Sequence, residues 1–115
     1  MSLPTPYYSR DGIVIYCGDA LDVLPQLTGL DALIVDPPYS SGGAFRVDRM
    51  GSTVSKYVQS GTTAVRSEFA GDNRDQRGYL AWCSLWLTAA LHASNPSAVV
   101  ACFSDWRQLP TMTDA

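Results

Sequence analysis

Four consecutive residues, Asp36-Pro37-Pro38-Tyr39, combine the groups needed to methylate an aromatic amine. The nitrogen lone pair of such an amine is delocalised into its ring, so catalysis requires groups that accept its N–H bonds. The Asp36 carboxylate can accept one bond and the main-chain carbonyl of Pro37 the other. The two prolines fix their φ angles, so both acceptors are held in place before a substrate arrives. Tyr39 offers a flat face on which a base extruded from a duplex can stack.

The alternative interpretation of the same residues is structural: a strand ends in a proline turn, Asp36 caps it and Tyr39 packs against the protein. Their position favours chemistry, because they follow the apolar run 32–35. Ligands of open α/β sheets bind at the carboxyl ends of such strands. The serines and glycines at 40–43 favour the same interpretation.

Hydrophobic periodicity predicts the elements that position this motif. In chain order they are strand 13–16, helix 20–27, strand 32–35, helix 78–93 and strand 98–103. Strands and helices that alternate in this way predict an α/β fold with parallel βαβ units. Three strands are few for a complete doubly wound sheet. We therefore expect an incomplete, mostly parallel sheet, about half of a Rossmann-like domain.

Local signals refine these elements. Asp19 is the predicted N-cap of the first helix, and Gly29 follows it as a C′ residue. The strands at 32–35 and 98–103 are apolar without alternation, which is typical of strands buried on both faces of a parallel sheet. A turn is predicted at Asn95-Pro96-Ser97, and Ser104 or Asp105 is expected to cap a last helix. The predicted buried stripe of the second helix is Leu80, Cys83, Leu87 and Leu91.

Residues 40–78 are predicted to form one long, flexible loop, rich in serine, glycine, threonine and charge. Six basic and four acidic side chains give this segment a net charge of +2, whereas the rest of the chain carries −5. A basic segment on an acidic body is expected of a loop that faces DNA, although a solvated surface loop has a similar pattern. The basic residues are Arg46, Arg49, Lys56, Arg66, Arg74 and Arg77.

The chain resembles the amino-methyltransferase family of DNA methyltransferases, in its phage and prophage adenine-specific branch. The resemblance rests on segments 16–21, 36–43, 71–77 and 103–107. It implies an S-adenosylmethionine-dependent enzyme of the restriction–modification type, with double-stranded DNA as its partner. Asp36-Pro37-Pro38-Tyr39 matches the catalytic motif, and Asp rather than Ser at its first position implies adenine N6 rather than cytosine N4.

The same resemblance implies the cofactor contacts. Asp19 matches the acidic residue that contacts the adenine of S-adenosylmethionine, Ala20 stands beside it, and Asp36 is a further contact. The family's aromatic-x-Gly-x-Gly cofactor loop is absent, and 35 residues before Asp36 leave too little room for it. The resemblance therefore implies the permuted class, in which the catalytic half comes first. We expect residues 1–115 to be the N-terminal part of a methyltransferase catalytic domain, inactive alone.

Two alternatives stay open. Similar motifs occur in enzymes that methylate guanine amines in ribosomal RNA or glutamine in protein, but those carry the glycine loop upstream. The alternative from another class is a non-catalytic α/β half-domain that binds DNA or a partner protein.

Composition narrows the classes of protein to which the chain can belong. The chain is 46% hydrophobic and 17% charged, which suits a domain with a core, and no apolar run is long enough for a membrane span. No secretion signal is evident at the N-terminus. Three cysteines are expected to be reduced, buried thiols of a cytoplasmic protein, and with a single histidine they predict no metal site. An uncovered sheet edge predicts self-association, for example as a homodimer.

Overall fold

The computed structural model describes residues 2–40, 50–52 and 70–115. Its elements are β1 (Tyr8–Arg10), β2 (Ile13–Ile15), α1 (Ala20–Val23), β3 (Leu30–Val35), α2 (Gln76–Ala93), β4 (Ser94–Cys102) and α3 (Leu109–Asp114). Short 3-10 turns follow α1 at Leu24–Gln26 and precede α3 at Trp106–Gln108. The chain is thus a mixed α/β protein, as predicted.

The first two strands form a local hairpin. β1 and β2 pair antiparallel, with Tyr8 opposite Ile15, and Asp11 and Gly12 form the turn with φ of 53° and 78°. Two positive φ angles are typical of the two-residue turns that close hairpins. In the described part of the chain, β2 pairs with β1 and not with β3. The prediction that the first two predicted strands form a parallel βαβ unit is therefore wrong. A two-residue connection costs little loop-closure entropy, which favours the local pairing.

The second sheet contains the predicted parallel crossover. β3 and β4 are parallel neighbours joined through α2. β4 starts at Ser94, and the predicted turn at 95–97 is therefore part of a strand, in which Ser97 has a φ of 70°. The Asn95 side chain explains the early start, because its amide donates to the Asp31 carboxylate at 2.8 Å and to the Gly29 carbonyl at 3.2 Å. These bonds fasten the beginning of β4 to the beginning of β3.

Helix α2 contributes most of the buried apolar side chains. Its buried residues recur every three or four positions: Tyr79, Cys83, Trp86, Ala90 and Ala93. Of the predicted stripe, Cys83 is buried, whereas Leu91 is 72% exposed. The buried face is rotated because two aromatic rings and two alanines line it, and alanine is a weak hydrophobic signal in sequence.

The sequence predicts that both strands of the second sheet are buried on both faces. In the structure they are not, and this prediction is wrong. Ile34 is 76% exposed and Val99 is 65% exposed. Among the described residues, this sheet has two strands and one crossover helix, which are too few to cover both of its faces. The doubly wound, Rossmann-like arrangement stays a prediction.

Several local predictions are confirmed and one is wrong. The Asp19 carboxylate caps α1 by accepting from the Leu21 N–H at 2.9 Å, and Asp105 caps the 3-10 turn before α3 through the Arg107 N–H. All three cysteines are free, but of the predicted buried thiols only Cys83 is buried. Cys17, which follows a two-stranded hairpin that offers it no cover, is exposed, and Cys102 is half-buried. Within residues 2–40, 50–52 and 70–115, none of the helices has the length and apolar character of a membrane span.

The chain divides into two compact units. The first comprises Met1–Ile34 and Ser84–Ala101, and the second comprises Val35–Cys83 and Cys102–Ala115. The predicted catalytic motif belongs to the second unit.

Candidate active site

The motif leaves β3 at its carboxyl end. We call residues 36–40 the proline turn. The Phe103 N–H, just beyond β4, donates to the carbonyl of Val35 at 2.9 Å, so the carboxyl ends of two parallel strands meet beside the turn. Asp36 is exposed, and the prolines and Tyr39 are half-buried. This is the edge of the sheet at which α/β proteins bind ligands, as the sequence predicts.

Asp36 and Tyr39 are in direct contact. The Tyr39 hydroxyl donates a hydrogen bond to Oδ1 of Asp36. This bond, together with partial burial, raises the pKa of Tyr39 to about 12, because losing the proton would place a phenolate against a carboxylate. Tyr39 is therefore a protonated donor at neutral pH. A carboxylate has about four lone-pair sites, so Asp36 can accept from a substrate amine as well.

Ser40 closes the proline turn in a fully buried position with a φ of 49°. Its N–H donates to Oδ1 of Asp72 at 2.9 Å, and its carbonyl accepts from the Gln108 side-chain amide at 3.3 Å. Its hydroxyl donates to the carbonyl of Gly71 at 3.3 Å. We call Ser40, Gly71, Asp72 and Gln108 the Ser40 clamp. All three polar groups of one residue are thus bound by distant parts of the chain.

The predicted 40–78 loop ends two residues earlier than expected, because α2 starts at Gln76. Near its two ends, Ser40 and Asp72 are buried in the clamp. Asp75 provides the cap that the sequence prediction missed, because its Oδ1 accepts from the Gly78 N–H at 2.7 Å and its carbonyl from the Tyr79 N–H at 2.8 Å. Aspartate is one of the residues preferred at the N-cap of a helix.

Two of the six predicted DNA-contacting residues are described. Arg77 is exposed in the first turn of α2. Arg74 has internal partners: it donates to the carbonyl of Gly71, and its guanidinium carbon lies 4.3 Å from the Trp82 ring centroid. Stacking of this kind holds a guanidinium in a fixed orientation. Arg46, Arg49, Lys56 and Arg66, with most of the predicted loop and its expected flexibility, lie outside the described residues.

The predicted cofactor contacts are exposed but belong to different units. Asp19 and Ala20 start α1 in the first unit, and Asp36 lies in the second. The Asp19 carboxylate keeps lone pairs beyond the one that caps α1, so it can accept from a nucleoside amine or hydroxyl as well. Contact of these residues with S-adenosylmethionine stays a prediction. The glycine loop that would hold the rest of that molecule is absent from the sequence.

Cys102 lies at the end of β4. Burial, followed by the neighbouring Cys83 and Asp36, raises the pKa of the Cys102 thiol, which disfavours its thiolate form. Burial likewise raises the pKa of Tyr79. Within the described residues no three metal-binding side chains lie together.

Sequence reasoning missed the Ser40 clamp. Ser40 and Asp72 fall in segments that carry the family resemblance, but nothing in their types links them across 32 residues, and Gln108 lies a further 36 along. No family model, curated protein or solved structure matches the chain. The functional interpretation therefore depends on the residues themselves.

Proposed function

We propose that this chain supplies the target-base site of an S-adenosylmethionine-dependent methyltransferase that acts on the exocyclic N6 amine of adenine in DNA. The observation that carries the proposal is the position of Asp36. An exposed carboxylate lies at the carboxyl end of a parallel strand, and two prolines fix the main-chain carbonyl that follows it. Few other functions need two rigid acceptors side by side at such an edge.

In the proposed reaction the Asp36 carboxylate accepts one N–H bond of the adenine amine and the Pro37 carbonyl accepts the other. Both bonds strengthen as positive charge develops on the nitrogen, which lowers the barrier rather than merely binding the base. When bound, S-adenosylmethionine would supply the methyl group, whose bond to sulfur breaks as the bond to nitrogen forms, and one N–H proton of the amine would leave to solvent. Asp19, Ala20 and Asp36 are the proposed contacts of the cofactor.

Tyr39 has two proposed roles. Its ring stacks on the base after the base leaves the duplex, since the amine of a paired adenine is out of reach. Its hydroxyl, which donates to Asp36, restricts the rotation of the carboxylate. The bond also keeps the ring next to the acceptor that binds the amine.

Arg77 is the strongest DNA-contact candidate in the described part of the chain, because its side chain is exposed at the start of α2. Arg74 is committed to Gly71 and Trp82, so its proposed contribution is to hold local structure near the DNA. The remaining basic residues of segment 40–78 complete the proposed DNA-facing surface. A cytoplasmic location, which the free cysteines favour, and a phage or prophage origin belong to the same proposal.

The proposal is tested with protein expressed from its complete reading frame. Transfer of a labelled methyl group to DNA is expected to fall about 100-fold or more in Asp36→Ala, as when other preorganised electrostatic groups are removed. Binding of S-adenosylmethionine, followed by calorimetry, should weaken without being lost, because Asp19 and Ala20 remain as proposed contacts. Asp114→Ala removes an exposed aspartate from the end of α3 and is the matched control, with native activity expected.

Undiminished transfer by Asp36→Ala would contradict the mechanism. A native protein that binds DNA but transfers no methyl group would favour the non-catalytic half-domain. The absence of the glycine loop from the sequence supports this alternative.

A further inference from the structure

The conformation of Ser40 requires support from the rest of the protein. Its φ of 49° lies in the left-handed region, which is unfavourable for every residue with a Cβ atom. Its side chain is fully buried, so its polar groups cannot form hydrogen bonds with bulk water. Such strain persists where surrounding contacts impose it, and it is concentrated at functional sites.

The contacts that impose this conformation come from two distant segments. Asp72, which is 2% exposed, accepts from the Ser40 N–H across 32 residues, and Gln108, which is 1% exposed, donates to the Ser40 carbonyl across 68 residues. Both flanking peptide groups of Ser40 are therefore bound by buried side chains, which restricts rotation about its backbone bonds.

Gln108 carries a second, independent sign of function. Its Oε1 atom is buried and has no hydrogen-bond partner among the described residues. An unpaired buried oxygen destabilises a folded protein, and an apolar side chain of similar length would avoid that cost. The donor bond to the Ser40 carbonyl is the contact that glutamine provides and such a side chain lacks.

We propose that Asp72 and Gln108 are positioning residues, which fix Ser40 and thereby set the orientation of the Asp36 carboxylate and the Tyr39 ring toward the target amine. The inference rests on the proposed function. Pro37 and Pro38 already fix their own φ angles, so the backbone of Tyr39 and Ser40 holds most of the remaining freedom of the turn. Fixing Ser40 removes much of it.

The first test is kinetic, with protein from its complete reading frame. Asp72→Ala is expected to lower kcat for methyl transfer about 10- to 100-fold, because small misplacements of catalytic groups have effects of this size. Asp72→Asn keeps an oxygen that can accept from the Ser40 N–H and is expected to retain most of the activity. The decisive variant is Asp72→Ala combined with Ser40→Gly, since glycine adopts a positive φ without strain. It is expected to recover part of the lost kcat, because glycine reaches the positive φ without strain but is not held there once the Asp72 carboxylate is gone.

The second test does not depend on activity. The carbon-13 signal of the Tyr39 Cζ atom, assigned with Tyr39→Phe, reports the hydrogen bond to Asp36. Tyr7, which is 82% exposed, gives the reference for a solvated tyrosine. In Asp72→Ala the Tyr39 signal is expected to move toward that of Tyr7, and Ser40→Gly in the same protein should move it back.

Gln108→Met covers the case in which Asp72→Ala does not fold. It removes the donor to the Ser40 carbonyl and also the unpaired Oε1, so the two effects on stability oppose each other. A fall in kcat and a shift of the Tyr39 signal, both smaller than in Asp72→Ala, are expected.

The outcomes separate the two proposals. If the Tyr39 signal responds as described but no variant, including the native protein, transfers methyl groups, the positioning role stands and the proposed function fails. If the native protein is active and the Asp72 and Gln108 variants leave both kcat and the Tyr39 signal unchanged, the inference is wrong. The inference would also be wrong if Asp72→Ala folds and Ser40→Gly recovers none of its lost kcat.

Discussion

The proline turn and the exposed strands of the β3–β4 sheet are stabilised by different forces. At the turn, polar contacts from distant segments bind Ser40, which is fully buried. Along the strands, apolar side chains such as Ile34 and Val99 are mostly exposed. Hydrogen bonds are directional and hydrophobic burial is not, so polar contacts are the better means of fixing an orientation. The backbone of Ser40 is therefore held by polar contacts and not by burial of apolar side chains on the strands.

Hydrophobic stability comes instead from the buried face of α2, where substitutions should lower the free energy of unfolding most. Trp86 is 4% exposed, and Trp86→Ala is expected to lower the free energy of unfolding by about 3–5 kcal/mol. Leu91 lies on the same helix but is 72% exposed, so Leu91→Ala should cost less than about 0.5 kcal/mol. Urea denaturation followed by circular dichroism measures both. Equal losses in the two variants would mean that the buried face is assigned incorrectly.

A smaller effect is expected at the contact between Tyr39 and Asp36. The folded-state pKa of Tyr39 is raised from 10.0 to about 12, so the protonated hydroxyl stabilises the fold. This contribution is fully present below pH 10 and is lost as the pH rises toward 12. Because the pair lies near solvent, it is worth no more than about 1 kcal/mol.

Unfolding of the native protein and of Tyr39→Phe at a series of pH values measures this contribution. The difference in stability should be constant up to about pH 9 and shrink above pH 10. Tyr7→Phe, at an exposed position, gives the baseline for losing a hydroxyl. A difference that grows with pH would show that the sign of the coupling is wrong.

The smallest effect on stability is expected on the exposed sheet. Replacing Ile34 and Val99 together by threonine should change the free energy of unfolding by about 0.5 kcal/mol or less, since little buried area is lost. The same change should weaken self-association, because exposed apolar strands pair with other copies. Sedimentation velocity at micromolar concentrations measures this, with Tyr7→Thr as the exposed control. A native protein that sediments as a monomer throughout would remove the basis for the expected homodimer.

Sequence alone predicted the elements that carry strong local signals. The crossover β3–α2–β4, the capping role of Asp19 and the exit of the motif from the carboxyl end of a strand are all found. The hairpin partner β1 was not predicted, although Asp11-Gly12 is a strong hairpin turn signal. The strand residues Ser9 and Arg10 are polar, so β1 lacks the apolar run from which a strand is predicted.

The other features of the fold and of the candidate site depend on contacts that no local sequence pattern reveals. Which face of α2 is buried was decided by Tyr79 and Trp86 together with small alanines, whereas the leucines dominate the sequence pattern. The Ser40 clamp joins three segments through single hydrogen bonds, and the spacing of its residues has no period. Burial of the strands also depends on how many strands surround them, and that number cannot be derived from β3 or β4 alone.

The central claim is that Asp36 and its neighbours act on the N6 amine of adenine, and nucleoside analysis of the product tests it most directly. DNA incubated with S-adenosylmethionine and protein from the complete reading frame is digested, and its nucleosides are separated by mass. N6-methyladenine is expected with the native protein and with Asp114→Ala, and almost none with Asp36→Ala. N4-methylcytosine in its place would contradict the choice of base, and N6-methyladenine formed equally well by Asp36→Ala would contradict the account itself.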